Sequence, residues 1–201
     1  LFPKESGNIS MTYTPMTYTA RLVKHSHPNS KVVFIGPCAA KKLEAMQEEL
    51  RSDVDFVLTY EELMGIFEAK EINFSQLPDT DDLRDASGLG RGFAAAGGVA
   101  AAVEEILRRG QPDAEVNIQR ADGLRACRKL LTLAKAGKLD GYLLEGMACP
   151  GGCISGAGTI ISADAAKKKL EAHIQQAETY SCADGPYREF AGLLADASAP
   201  R

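Results

Sequence analysis

Twice in this chain a short, almost wholly apolar run ends in glycine and then in cysteine. "VVFIGPC" closes on Cys38 and "YLLEGMAC" closes on Cys149. This repeated step constrains the fold more than any other feature. Short apolar runs bounded by turn residues fit strands buried in a parallel sheet. In open α/β sheets, ligands sit at the carboxyl ends of strands. Cys38 and Cys149 therefore occupy positions from which both can reach one common site.

The segments around these steps alternate between helix and strand. Residues 14–27 begin with Thr14 as an N-cap candidate and Pro15 at the first helical position. Strand patterns follow at "KVVFIG" (31–36) and "DFVLTY" (55–60), with a helical run "AAKKLEAMQEELRS" between them. Thr59 and Glu62 have the spacing of a capping box for "YEELMGIFEAK". Residues 73–93 read as a polar, then glycine-rich loop. Next come helix "GGVAAAVEEILRRG", strand "EVNIQR" and helix "DGLRACRKLLTLAKAG", with Asp122 as its expected cap. Strand "GYLLEG" (141–146) runs straight into the paired cysteines. A last helix, "SADAAKKKLEAHIQQAETY", precedes a weakly patterned tail. Four strands separated by helices predict βαβ units and an open parallel sheet.

With 201 residues, the chain can form one large domain or two small lobes. Its net charge of −4 argues against nucleic acid or an anionic membrane surface as partner. No apolar run approaches the roughly 20 residues that span a bilayer, and "LFPKESGNIS" lacks the features of a signal peptide. A cytoplasmic location is expected. The absence of an initiator Met suggests a piece of a longer protein.

The five cysteines are Cys38, Cys127, Cys149, Cys153 and Cys182. An odd, widely spaced set fits metal ligands or free thiols in a reducing compartment better than a disulfide framework. Zinc favours C-x2-C pairs with matching histidines. Here the pair Cys149 and Cys153 is C-x3-C, and His25, His27 and His173 lie far from it. His25 and His27, at a helix end, read as solvated C-terminal charges. Soft thiolates suit an iron–sulfur cluster. Gly151 and Gly152 let the backbone approach such a cluster closely and adopt positive φ. Free thiols at a turn are the plainer alternative. Cys127 falls in an apolar stripe with 124, 130 and 131 and reads as a buried core thiol. Cys182, in the tail, is a remote candidate for a further ligand.

"GPCAAKKLEA" (36–45) resembles the second cluster signature of the iron-only hydrogenases, and "EGMACPGGCISG" (145–156) resembles their third. "SGLGRGFAAAGGVAAAVEE" (87–105) resembles the glycine-rich stretch between them, and the order is the same. The resemblance runs over roughly residues 10–160, with residues 161–201 as a C-terminal helix and tail. It implies an α/β fold with parallel sheets flanked by helices in two lobes around a cluster site. Residues 1–201 would be a single fragment of the catalytic domain whose N-terminal part is missing.

The resemblance also implies a cofactor: a 4Fe-4S cubane joined through one cysteine sulfur to a di-iron subcluster. Cys38 and Cys149 would be cubane ligands and Cys153 the bridging ligand. Lys41 would donate to a cyanide ligand of the di-iron unit, Met147 would pack against that unit, and Glu44 would lie near the lysine. Gly36, Pro37, Ala39, Phe93, Ala94, Gly151 and Gly152 would line the cofactor. Ser10 sits roughly where the family has a relay serine. A ferredoxin-like carrier or further Fe-S domains would exchange electrons, and a flanking regulatory domain is a possible partner.

Several positions depart from the family pattern. The first signature, Thr–Ser–Cys–Cys–Pro, with the fourth cubane cysteine, is absent. Gly36 replaces the usual methionine, "ISGAGT" replaces a Gly–Gly–Gly–Gln–Pro ending, and Met16 stands at a commonly polar position. The expected function is interconversion of hydrogen with protons and electrons in the parent protein. The alternative is a hydrogen- or redox-sensing domain with little turnover. With three of four thiolates, the fragment itself is expected to be inactive and largely metal-free, its cofactor absent or incomplete.

Overall fold

The computed structural model describes residues 2–78 and 85–192. Part of the polar loop expected at 73–93, and the tail from 193 on, lie outside the described residues. The chain forms two compact units. One comprises the described residues of Ile9–Asp82, Gly156–Ile160 and Phe190–Arg201; the other, those of Leu1–Asn8, Leu83–Ser155 and Ile161–Glu189.

The first unit is built from α1 (Pro15–Ser26), β1 (Val33–Ile35), α2 (Ala40–Ala45), β2 (Phe56–Leu58) and α3 (Tyr60–Ala69). Pro15 opens α1 after an extended Thr14, as expected, but the Thr14 side chain makes no cap bond. Thr59 and Glu62 form both halves of the capping box on α3. β1 and β2 pair in parallel, Val33 with Phe56 and Ile35 with Leu58. Phe34 and Val57, on the opposite side, pack with Val32 and Ala45 on the buried cluster of Met16, Ala20 and Val54.

The strands differ from the expected fully buried type: Val33, Ile35 and Phe56 are 45%, 42% and 62% exposed. Only one face of this sheet is covered by its own unit. The helix expected over 39–52 also stops early. Beyond Ala45 the chain continues in tight turns, with Leu50 N–H donating to Gln47 O and Asp53 N–H to Leu50 O. These turns carry Leu50 and Val54 inward, where both are buried.

The second unit contains α4 (Gly88–Gly92), α5 (Gly98–Gly110), β3 (Asn117–Asp122), α6 (Leu124–Lys135), β4 (Tyr142–Met147) and α7 (Ala163–Gln175). The glycine-rich stretch is therefore not all loop. Ser87 accepts a hydrogen bond from Gly90 N–H and starts a short helix there. β3 and β4 pair in parallel over six residues, from Asn117 with Tyr142 to Asp122 with Met147. The strand pattern alone predicts one open sheet; two separate two-stranded parallel sheets are found, in keeping with the α/β fold of several parallel sheets flanked by helices that the resemblance implies. Each βαβ unit pairs within itself, β1 with β2 across α2 and β3 with β4 across α6. Among the described residues, no helix is long and apolar enough to cross a membrane.

Candidate metal centre

The paired cysteines sit on a turn locked by its own backbone. At the end of β4, the Met147 carbonyl accepts from Gly123 N–H at 2.8 Å. Just beyond it, Gly152 N–H donates to Cys149 O at 2.9 Å, with Pro150 and Gly151 at the two central positions. Gly151 has φ +86°. Proline followed by a glycine at positive φ is the type II arrangement. Gly152 then has φ +95°, and a Cβ there would stand 2.5 Å from Ala96 N and 2.7 Å from Ala94 O. Only glycine fits, because both the dihedral and the close approach forbid a side chain.

That close approach is a strand-like pairing with residues 94–96. Ala95 and Gly152 form an antiparallel bridge. Ala96 N–H donates to Gly151 O, and Ile154 N–H to Ala94 O, both at 3.1 Å. Asp122 accepts from Gly151 N–H at 2.7 Å. It was expected to cap α6, but Gly123 occupies that cap position, which leaves the Asp122 carboxylate to the cysteine turn. Ser155 donates to the carbonyls of Pro150 and Gly152. Cys149 is part-buried and Cys153 exposed at the start of a 3-10 turn. This unit thus brings together Cys149, Cys153, Gly151, Gly152, Ala94 and, at the end of α4, Phe93. Met147 is part-buried at the end of β4.

The other unit holds the second group of candidates. Gly36 is fixed by its N–H to Leu58 O, and Cys38 O accepts from Lys41 N–H as α2 begins. Cys38 and Pro37 are part-buried, and Ala39 is exposed at the N-cap position. The Lys41 ammonium donates to Glu44 Oε2 at 2.5 Å. Glu44 Oε1 in turn accepts from Thr14 and, at 3.2 Å, from Thr17. The Lys41 and Glu44 side chains are only 20% and 19% exposed. Thr17 is fully buried, and nothing in the helical pattern of α1 sets it apart. An ammonium carries three donors, so the bond to Glu44 orients Lys41 without exhausting it.

Two glycines here have specific surroundings. A Cβ on Gly36 would lie 2.8 Å from the Phe34 ring, so that ring covers the place where the family carries a methionine. Gly158 donates to Pro37 O at 2.9 Å, and its carbonyl accepts from Tyr60 N–H at the start of α3. A Cβ on Gly158 would meet Thr59 Cβ at 2.5 Å. The departing "ISGAGT" ending thus supplies a contact that only glycine permits.

The remaining candidates fall elsewhere. Cys127 is part-buried rather than sealed in a core, with Sγ 3.4 Å from Met147 O. Its stripe is incomplete, because Leu124 is 72% exposed. Cys182 is exposed in a 3-10 turn. His25 and His27 end α1, as expected. The His173 carbonyl accepts from Arg91 at 2.6 Å. Ser10 bonds Thr12 in an exposed turn. Within neither unit do three or more His, Cys, Asp or Glu gather into a metal-holding group among the described residues. The cysteine turn supplies two soft thiols on a backbone already rigid, which suits part of an iron–sulfur cage.

An α/β protein with a glycine-bound C-x3-C turn at a strand end is the class these features define. The chain belongs to the family described as the iron only hydrogenase large subunit, C-terminal domain, whose model matches residues 1–157. It is 32% identical over 175 residues to the periplasmic Fe hydrogenase large subunit of Nitratidesulfovibrio vulgaris, covering 71% of this chain and 42% of that one. It is 28% identical over 188 residues to cytosolic iron-sulfur assembly component 3 of Rattus norvegicus, covering 73% of this chain and 38% of that one. The chain therefore spans less than half the length of these relatives. Its fold is similar to that of a variant FeFe-hydrogenase from Chlamydomonas reinhardtii, with TM-score 0.64 and 22% identity, covering 95% of this chain and 67% of that one.

Proposed function

We propose that this chain is part of an iron-only hydrogenase domain whose parent interconverts hydrogen with protons and electrons at a cubane-linked di-iron cofactor. The observation that carries this is the cysteine turn: two thiols held by a type II turn and a glycine that tolerates no side chain. In this reading Cys38 and Cys149 would hold the cubane as thiolate ligands, and Cys153 would be the ligand shared with the di-iron part. When bound, that group supplies the Lewis-acidic iron and the redox capacity for splitting hydrogen. The rest is the work of side chains. Lys41, oriented by Glu44, would offer a compact cation to an anionic ligand of the cofactor. In this reading Phe93, Ala94 and Met147 would line the cofactor from their unit, and Gly36, Pro37 and Ala39 would line it from theirs. Gly151 and Gly152 keep the backbone near the sulfurs.

Electrons would pass to a ferredoxin-like carrier or further Fe-S domains, and a cytoplasmic location fits a reducing, thiol-rich site. The test is iron and sulfide analysis of the intact protein after anaerobic maturation, with hydrogen evolution from a reduced viologen dye. Cluster uptake abolished by C149S and C153S, together with hydrogen evolution, supports the reading; a protein that takes up no cluster defeats it.

A second reading, sensing or cluster handling with little turnover, is favoured by Gly36, where Phe34 covers the position of the family's methionine. Similarity to an iron-sulfur assembly component points the same way. Full cluster loading with background hydrogen evolution would select it.

A further inference from the structure

We propose that Glu145 is a positioning residue for the cysteine turn, a role that rests on the cluster reading above. Glu145 lies in β4, four residues before Cys149, and is 8% exposed. A carboxylate so placed in an apolar strand is costly unless its oxygens are satisfied. Both are. Oε1 accepts from Gly97 N–H at 2.9 Å, and Oε2 accepts from Ala100 N–H at 3.1 Å.

Those two amides belong to the first turn of α5. Gly97 is its N-cap residue, in the left-handed region at φ +91°, and has no side chain with which to cap. The first amides of a helix have no partner inside the helix, and a negative group is favoured at that end. Glu145 therefore supplies across space the cap that the local sequence lacks. The partners are 48 and 45 residues away in sequence.

The placement of α5 has a direct consequence for the cysteines. Residues 94–96 run into Gly97, and they form the backbone pairing with 151–154. One side of the turn is thus covalently attached to Glu145 through β4. The other side is hydrogen-bonded to it through 97 and 100. The carboxylate closes a loop of structure: strand β4, cysteine turn, segment 94–96, start of α5, and back to β4. Removing it leaves 94–96 held by its contacts with the turn it is meant to steady and by the local bonds from Ala95 N–H to Gly92 O and from Gly98 N–H to Ala95 O.

The experiment compares wild type, E145A and E145Q in the intact protein. Gln keeps one acceptor oxygen but turns an NH2 donor towards the other amide, so E145Q is the graded variant. Hydrogen exchange is read first, without cluster. Exchange at Ala96 and Ile154 is expected to quicken about tenfold or more in E145A and less in E145Q, with Ile118 in β3 unchanged. Unchanged exchange at Ala96 and Ile154 overturns the proposal, as does equal acceleration at Ile118, which marks general destabilisation. After maturation, iron per chain is expected to fall at least about threefold in E145A, with a broadened EPR line of the reduced cluster. Wild-type loading and line shape in folded E145A overturn the proposal. If E145A does not fold, E145Q carries both measurements, and wild-type behaviour in both sinks the idea. A wild type that takes up no cluster defeats the function proposed above, while the exchange data still decide whether Glu145 steadies the turn.

Discussion

Asp122 and Gly151 are joined by a 2.7 Å hydrogen bond between a carboxylate at the end of β3 and a backbone amide inside the cysteine turn. The bond ties the end of β3 to the turn that follows β4. D122A should lower stability by about 1–2 kcal/mol in urea unfolding, as expected for a hydrogen bond to a charged acceptor. D122N, which keeps an acceptor oxygen, should recover more than half of the loss. Equal stability of D122A and wild type would show that the bond is not held in solution.

G152A should be far more damaging. A methyl group at this position meets the backbone of Ala94–Ala96, and φ +95° disfavours any L side chain. A loss of about 2–4 kcal/mol is expected. Amide exchange at Ala96 should rise with it, since the bridge between Ala95 and Gly152 cannot close.

These two sites show what could be read from the sequence and what could not. The Thr59–Glu62 box and Pro15 were legible because their partners lie within one helical turn. Gly151 and Gly152 were legible as turn residues for the same local reason. Asp122 was misjudged: it precedes a helix, as a cap would, but its partner is 29 residues on. Glu145 and Thr17 were invisible because their partners are brought up only by the fold. The helix over 39–52 was extended too far, since periodicity does not reveal where tight turns bury Leu50 and Val54 better than helix does. A single open sheet was over-read from four strand patterns, which do not say which strands pair.

The Lys41–Glu44 pair gives a further test. Thr17 is fully buried and donates to Glu44. T17V keeps the shape and removes the donor, while Thr14 and Lys41 still satisfy the carboxylate. The expected cost is about 1 kcal/mol by thermal or urea unfolding, and T17S should restore most of it. A neutral T17V would mean the hydroxyl contributes nothing there.

Acid stability should depend on Asp55. Val32 N–H, Lys31 and Lys24 all bond its carboxylate and hold its pKa well below the ordinary 3.8. With the folded value depressed, the contribution is fully present above the unfolded pKa. It is lost as pH falls from about 4 towards the folded value, because the unfolded chain takes up the proton first. D55N should flatten the stability profile of the first unit between about pH 4 and pH 2 and leave its shape above pH 5 unaltered. Urea titrations at stepped pH, followed by Tyr fluorescence, would show it.

Gly158 reaches back to Pro37 and Tyr60 from far along the chain. During synthesis, then, the first unit remains unsealed until the polypeptide has been made well past Cys153. Both thiols of the turn leave the ribosome before that late strap can close. Shortened gene products ending before residue 156 would lack it altogether, and should be more prone to proteolysis around Pro37 than chains that include it.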